Sequence, residues 1–334
     1  MASDVIKNKD SNIQYRYLKA VDIKPKDDTF HGNINLIDIE WWYFDAVFDN
    51  GYSAHVGVRT YHLRNSGFVQ TRINIYKNGK VESGKVKTYL LSDFHYEIVN
   101  PSISIKKNPI ITFDKELYSN KNIWQYNINL KIENIEVNLI FTSTSKGWKI
   151  ETLDTSWTTP APKAKVEGFL ILNDKKIQVK GVGYHDHNWD YSPITSLKNN
   201  GWYWGRITSD TFNITWANIL KTKSKGDLIT VINQDYGNYF NINPEKIVFT
   251  YSNFIKNRHR KIPTDFKLRI KDSETQNNIV ADIDMNTIDI QHSKIFTIHY
   301  WRYHVNTSGF ISIGQKTEKL DNKKQIIEYL CFKS

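Results

Sequence analysis

Along most of this chain apolar and polar side chains alternate with a period of two, the mark of half-buried β-strands. From Glu40, the residues Trp42, Phe44, Ala46 and Phe48 alternate with Trp41, Tyr43, Asp45 and Val47 as far as Asp49-Asn50-Gly51, a tripeptide suited to a hairpin turn. The next run, Tyr52 to His62, sets His55, Gly57, Arg59 and Tyr61 on one face, and a third, Phe68 to Tyr76, stops short of Asn78-Gly79. Glu133-Asn134 separates runs over 126–132 and 135–141, and Asn173-Asp174 separates runs over 166–172 and 176–184. Further strands are predicted near 202–207, 212–220, 228–233, 246–251, 266–270, 279–283, 296–305, 310–315 and 325–332. No stretch of helix length repeats its apolar residues at helical spacing.

Many short strands joined by turn signals predict an all-β chain of antiparallel sandwiches or barrels. About sixteen candidate strands are too many for one small barrel of ~8, so two β-domains in tandem are expected. The best linker is Asp190 to Gly201, with Ser192-Pro193 and Asn199-Asn200-Gly201 inside it. The expected division is a polar arm over 1–25, a first β-domain over 26–195 and a second over 196–334.

Composition narrows the function classes. Of 334 residues, 24% are charged and 13% aromatic, with 10 Trp, 19 Tyr and 16 Phe; the aromatics favour strands and suit a pocket for a flat apolar ligand. The lone cysteine, Cys331, excludes an intramolecular disulfide and a multi-cysteine metal site, reads as a packing residue, and fits a reducing cytoplasm. The net charge of +10 is densest between Lys256 and Lys271, which reads as a solvated face. No helix-turn-helix, zinc finger or RNA-recognition signature accompanies it, so no nucleic-acid partner is expected. Met1 to Tyr15 lacks a signal-like apolar core, and no run approaches the ~18 apolar residues of a spanning helix. A cytoplasmic protein is expected, with at most transient peripheral membrane contact. There is no glycine-rich phosphate loop, no nucleophile elbow and no His-Glu-x-x-His helix, so no cofactor is expected.

Candidate chemistry concentrates between Gly181 and Arg206. Gly183-Tyr184-His185-Asp186-His187-Asn188-Trp189, if extended, places His185, His187 and Trp189 on one face and Tyr184, Asp186 and Asn188 on the other. His-x-His on a strand can chelate a metal from one side, but no further His or Glu is placed by sequence to complete the set. A polar network or pocket is the expectation, and no metal. Glu40-Trp41-Trp42-Tyr43 is a second cluster: Glu40 is either a buried acid with a raised pKa or a rim carboxylate bonded to an indole or an arginine. A third, His299-Tyr300-Trp301-Arg302-Tyr303-His304, reads as core with a structural arginine–carboxylate pair.

In this order the clusters resemble the carotenoid 1,2-hydratase (hydroxyneurosporene synthase) and AttH-like superfamily. The resemblance rests on Glu40-Trp41-Trp42-Tyr43-Phe44, Gly183-Tyr184-His185-Asp186-His187-Asn188-Trp189 and Trp202-Tyr203-Trp204-Gly205-Arg206, with Tyr300-Trp301-Arg302-Tyr303 and Glu328-Tyr329 in support. It implies two tandem lipocalin-like β-domains with an aromatic pocket at or near their junction. Members add water to an isolated double bond of an acyclic carotenoid without a cofactor, and fungal relatives close polyenes by an intramolecular Diels–Alder reaction. Such hydration needs an acid to protonate the alkene and aromatic faces to stabilise the cation, an interaction worth ~2 kcal/mol or more when desolvated.

Carried over by position, His187 supports the acid and Trp189 lines the pocket. The resemblance places the acid itself at an aspartate in a later Tyr-x-Asp strand, but Trp216-Ala217-Asn218 stands there, and asparagine cannot deliver a proton. Asp186, Glu40 or Asp210 has to serve instead. The expected function is therefore a cofactor-independent hydratase or cyclase acting on an isoprenoid, polyene or other lipid. Asp186, His187 and Glu40 would move protons, and Trp42, Tyr43, His185, Trp189, Trp202, Trp204, Trp216 and Asn218 would shape the ligand site. The alternative is a carrier that keeps the pocket and has lost the acid.

Overall fold

The computed structural model describes residues 15–32, 37–63, 66–152, 156–192, 197–221, 226–273, 277–295 and 298–332. The chain forms two compact units. The N-terminal unit comprises Lys19–Ser196 with Asn233–Asn238, and the C-terminal unit comprises Met1–Leu18, Leu197–Ile232 and Tyr239–Ser334. The first 14 residues of the expected arm, and 193–196 of the expected linker, lie outside the described residues.

The N-terminal unit is a 13-stranded antiparallel sheet that curls into a nearly closed barrel. Its path runs through Lys80–Leu90, Ser66–Lys77, Tyr52–Leu63, Asp38–Phe48, Lys175–Tyr191, Ser156–Leu172, Ile135–Ser143, Gln125–Ile132, Asn108–Phe113, Ile103–Ile105 and Phe94–Tyr96, with Val21–Asp22 and Trp148–Glu151 beside it. The C-terminal unit is a curled half-barrel of nine strands, in the order Tyr239–Asn241, Asp227–Gln234, Phe212–Lys221, Asn199–Thr208, Lys316–Cys331, Ile298–Ile313, Ile279–Ile295, Arg260–Asp272 and Ile247–Asn257. The chain is thus all-β, two lipocalin-like domains in tandem.

The four turns read from sequence are all present. Gly51, Asn78, Gly79, Glu133, Asn173 and Asp174 have positive φ, the backbone that tight hairpins demand and that Gly and Asn adopt at least cost. Lys115–Lys121 is a short α-helix, capped by Asp114, whose carboxylate accepts from the Leu117 amide, and closed by Asn122 in the left-handed region. No helix among these residues is long and apolar enough to cross a membrane.

Differences from the sequence reading have local causes. The run over 166–172 is the second half of the 17-residue strand Ser156–Leu172. Its first half contains Pro160 and Pro162, which cannot donate to a ladder, and pairing with the next strand slips between Thr158 and Ala161 and again between Ala161 and Ala164. The runs over 296–305 and 310–315 are one strand, Ile298–Ile313, with a register shift at Gly309; 296 and 297 lie outside the described residues. Lys80–Leu90 is a strand that no apolar alternation marks, because neither of its faces is buried.

Each unit has an apolar core. In the barrel, Phe44, Phe48, Val56, Val58, Ile73 and Phe141 belong to one buried cluster; in the half-barrel, Trp216, Phe249, Phe266, Trp301 and Tyr303 belong to another, with Cys331 among them. Gly205, within Trp204-Gly205-Arg206, lies opposite Trp216 in register, and a Cβ added there would meet the Trp216 ring at 2.7 Å. The glycine is therefore what lets the indole lie flat on the strand. Gly205→Ala should destabilise the protein by about 1–3 kcal/mol, the usual cost of overpacking a filled core, seen as a lower midpoint in thermal unfolding.

Candidate functional site

Inside the N-terminal barrel the inward positions of Asp38–Phe48 change character along the strand. Phe44, Ala46 and Phe48 face apolar neighbours, whereas Asp38 and Glu40, on the same face four and two residues before Trp42, are carboxylates buried to 1% and 0% exposure. Register brings partners to them: Thr60 pairs with Glu40 and His62 with Asp38 across one hairpin, while His187 pairs with Trp42 and His185 with Phe44 across the next strand. Directly opposed residues of an antiparallel pair project to the same side. The turn Pro25–Asp28 and the segment after it add Asp28 and His31.

The centre of this cluster is His187. Its Nε2 lies 2.8 Å from Glu40 Oε1, and its Nδ1 lies 3.3 Å from Asp28 Oδ1, an ion-pair contact too oblique for a hydrogen bond. Its ring stacks on Trp42 at 4.2 Å. Glu40 Oε1 also accepts from the His31 amide at 2.9 Å and lies 3.3 Å from His31 Nδ1, and Oε2 faces the Gly32 amide at 3.4 Å. Asp28 Oδ2 accepts from the Tyr126 hydroxyl at 2.6 Å and lies 3.1 Å from His185 Nε2, while His185 Nδ1 sits 3.0 Å from the Tyr43 carbonyl. His185 stacks on Phe44 at 3.8 Å and the exposed His31 stacks on Trp189 at 3.9 Å.

Burial alone would raise the carboxylates and lower the imidazole, because it penalises charge. The pairing outweighs it. Burial raises Asp28, but His185 and His187 bring it down to about 2; burial likewise raises Glu40, but hydrogen bonds from His187 and His31 leave it lowered. Burial lowers His187, but Asp28 and Glu40 carry it up to about 9. At neutral pH the centre is an imidazolium between two carboxylates. Nitrogen and oxygen atoms of His31, Glu40 and His187 lie within 4.8 Å of one another, as do those of Asp38, Glu40 and His62.

Among the residues singled out by sequence, Glu40, Trp42, His185, His187 and Trp189 share this face. Asp186 and Tyr43, paired in register, lie on the other. There Asp186 accepts from Trp157 Nε1 at 2.9 Å, the Tyr184 hydroxyl at 2.8 Å and Asn188 at 3.2 Å, and the Tyr43 hydroxyl donates to Asp45 at 2.8 Å. Trp202, Trp204, Trp216 and Asn218 belong to the half-barrel. Trp202 meets Phe332 edge-on, Trp216 packs on Phe249 at 4.4 Å, Trp204 is buried, and the buried Asn218 is in register with Tyr203. Asp210 is exposed and bonded to Lys323. In the third cluster Arg302 pairs with Glu328 at 2.7 Å, as read from sequence. Two surface hollows of the barrel unit, one bounded by Pro25, Val99 and Phe113 and one by Asn50, Ile140 and Glu167, include none of the histidine cluster.

Asp28, His31, Asp38, His62 and Tyr126 were not singled out in the sequence. Alternation from Glu40 back to Asp38, and the hairpin register from Asp38 to His62, offered a signal for two of them. Asp28 and His31 sit in a turn and a loop with no periodicity, and nothing local marks them.

No protein-family model matches the chain. Among characterised proteins it is similar to the quinolone epoxide rearrangement protein asqO of Emericella nidulans, 30% identical over 64 residues, covering 19% of this chain and 17% of that protein. It is also similar to hydroxyneurosporene dehydrogenase of Chlorobaculum tepidum, 41% identical over 59 residues, covering 16% of this chain and 15% of that protein. The chain thus matches less than a fifth of the length of either relative. Solved structures share the fold over most of their length. Among them are a Nitrosomonas europaea protein assigned as AttH (TM-score 0.65, 12% identity, 95% of this chain and 98% of that one), CghA with Sch210972 (0.64, 10%, 89% and 89%) and kievitone hydratase of Nectria haematococca (0.56, 12%, 96% and 97%). The AttH-like resemblance read from the motifs is thus matched by the fold.

The ion network makes stability depend on pH in a defined direction. His187 binds its proton more tightly folded than unfolded, so its contribution is complete below its ordinary 6.5 and is lost as pH rises through about 9. Asp28 is the reverse: its contribution is complete above its ordinary 3.8 and is lost as pH falls through about 2. Urea unfolding across pH should show stability declining over both windows. His187→Gln should remove the alkaline decline and cost about 3–5 kcal/mol near neutrality, because it strands two buried carboxylates.

Proposed function

We propose that the protein is a hydratase- or cyclase-type enzyme that protonates a double bond of a hydrophobic small molecule, an isoprenoid, polyene or other lipid, without an organic cofactor. The observation that carries this reading is His187, buried between Glu40 and Asp28, stacked on Trp42 and 5.0 Å from the Trp189 ring. A proton relay, two fixed negative charges and flat aromatic faces are what an alkene-derived cation requires. The carboxylates stabilise the developing charge electrostatically and the indoles do so through their π faces. The Glu40 carboxylate, held by the protonated His187, positions the water that adds, or the carbon that closes the ring. Asp186, on the opposite face with its carboxylate held by three donors, supports the strand that carries His187. Among the proteins that share the fold or short matched segments are a hydratase, a protein solved with Sch210972 and a quinolone epoxide rearrangement protein, which supports this reading.

A second reading, a carrier for the same class of ligand, is favoured by one observation: the position where the resemblance puts an acid is Asn218, buried in the half-barrel sheet. Mass spectrometry of lipids co-purifying with the protein identifies the ligand class for both readings. With that ligand, His187→Gln and Glu40→Gln should each lower turnover by about 10²–10⁴-fold, the range for loss of a general acid or base, while ligand affinity holds within a few-fold. A wild type that binds the ligand and forms no product would establish the carrier instead.

A further inference from the structure

The proposed chemistry needs an acid that still holds its proton at neutral pH, and the carboxyls around His187 do not suit that part. Glu40 and Asp28 are ion-paired to His187, and Asp186 lies on the opposite face of its strand, bonded to Trp157, Tyr184 and Asn188. Asp38 differs. It lies on the same barrel-facing side of the same strand, two residues from Glu40, and is 1% exposed. Its Oδ1 makes no hydrogen bond, and its Oδ2 lies 3.5 Å from Nε2 of the equally buried His62. The wall beside it is aromatic: the Phe30 ring lies 5.7 Å from the His62 ring, 5.2 Å from Phe94 and 6.3 Å from Trp42.

From this placement we infer that Asp38 is the proton donor of the centre and that His62 returns the proton to it, an inference that rests on the reaction proposed above. The Asp38 O–H bond breaks as the alkene π pair forms a C–H bond, leaving a cationic carbon beside the aromatic wall and the Glu40 carboxylate. Water adds to that carbon, and its surplus proton passes through neutral His62 to the Asp38 carboxylate. The acid is regenerated, and the balance is alkene plus water to alcohol.

The charges facing Asp38 favour this state. Burial raises its pKa first; the Glu40 carboxylate on its own strand and Asp190 on the Lys175–Tyr191 strand raise it further, against the backbone of Ile39 and Tyr191, to about 7. Burial lowers His62, with Glu40 opposing, so the imidazole facing Asp38 is kept neutral. Asp38 and His62 thus form an uncharged pair next to the charged one.

The test uses the full chain labelled with ¹³C at aspartate carboxyls. A carboxyl titrating near neutrality, absent in Asp38→Asn and shifted in His62→Gln, together with a fall of about 10²–10⁴-fold in kcat for Asp38→Asn at unchanged ligand affinity and recovery in Asp38→Glu, would support the assignment. Should Asp38→Asn fail to fold, the shift in His62→Gln identifies the resonance. The assignment is overturned if every aspartate carboxyl titrates below about pH 5, near ordinary values, or if Asp38→Asn keeps wild-type turnover. Absence of turnover by the wild type removes the reaction reading, and the donor role with it. A wild type that turns over while Asp38 titrates low removes the donor alone.

Discussion

A protonated imidazole held out of water between two carboxylates is the constraint around which the N-terminal barrel is arranged. Moving such charges from water into a protein interior costs several kcal/mol each, and only close, well-oriented partners offset it. That requirement fixes what surrounds His187. Glu40 must be on the adjacent strand in the right register, Asp28 must be delivered by a turn, and the Gly32 amide and the Tyr126 hydroxyl must meet the carboxylate oxygens that His187 does not. Slipping the register by one residue would turn Glu40 outward and leave the imidazolium with one partner. The network is therefore as much a specification of the fold as a chemical centre.

Aromatic packing does the complementary part. His185, His187 and His31 each lie against a ring, those of Phe44, Trp42 and Trp189, so every imidazole has an apolar face and a polar edge. This arrangement keeps water from the ion pairs and strengthens them, since electrostatic interactions grow as the surroundings become less polarisable. Along the same strands, alternation separates this inward system from a second one on the outer face, where Asp186, Tyr184 and Trp157 are joined to one another.

Placing Asp38 and Glu40 two residues apart on one face gives two carboxyls opposite behaviour from position alone. Glu40 meets imidazoles and amide donors and stays ionised. Asp38 meets a neutral histidine, an aromatic wall and the charge of Glu40 itself, which makes its own ionisation unfavourable. Neighbouring acids pushed apart in this way are how a single site can hold an acid and a base at once.

The period-two alternation by itself determined the all-β class, the four hairpin turns and the face on which His185, His187 and Trp189 lie, because strand geometry and turn chemistry depend on neighbours in sequence. It also placed Glu40 and Trp42 on one face. It did not reveal the first half of Ser156–Leu172, with its prolines, or Lys80–Leu90 at the sheet's edge, since each lacks the alternation that burial of one face produces. Nor did it join Glu40 to His187, which are separated by 147 positions, or bring Asp28 and His31 over them. Those contacts depend on the pairing of Asp38–Phe48 with Lys175–Tyr191 and on where an aperiodic turn packs. Only the paired and curled sheet decides that, because what makes a carboxylate an ion-pair partner or a neutral acid is the charge and solvent around it, and those come from residues distant in the chain.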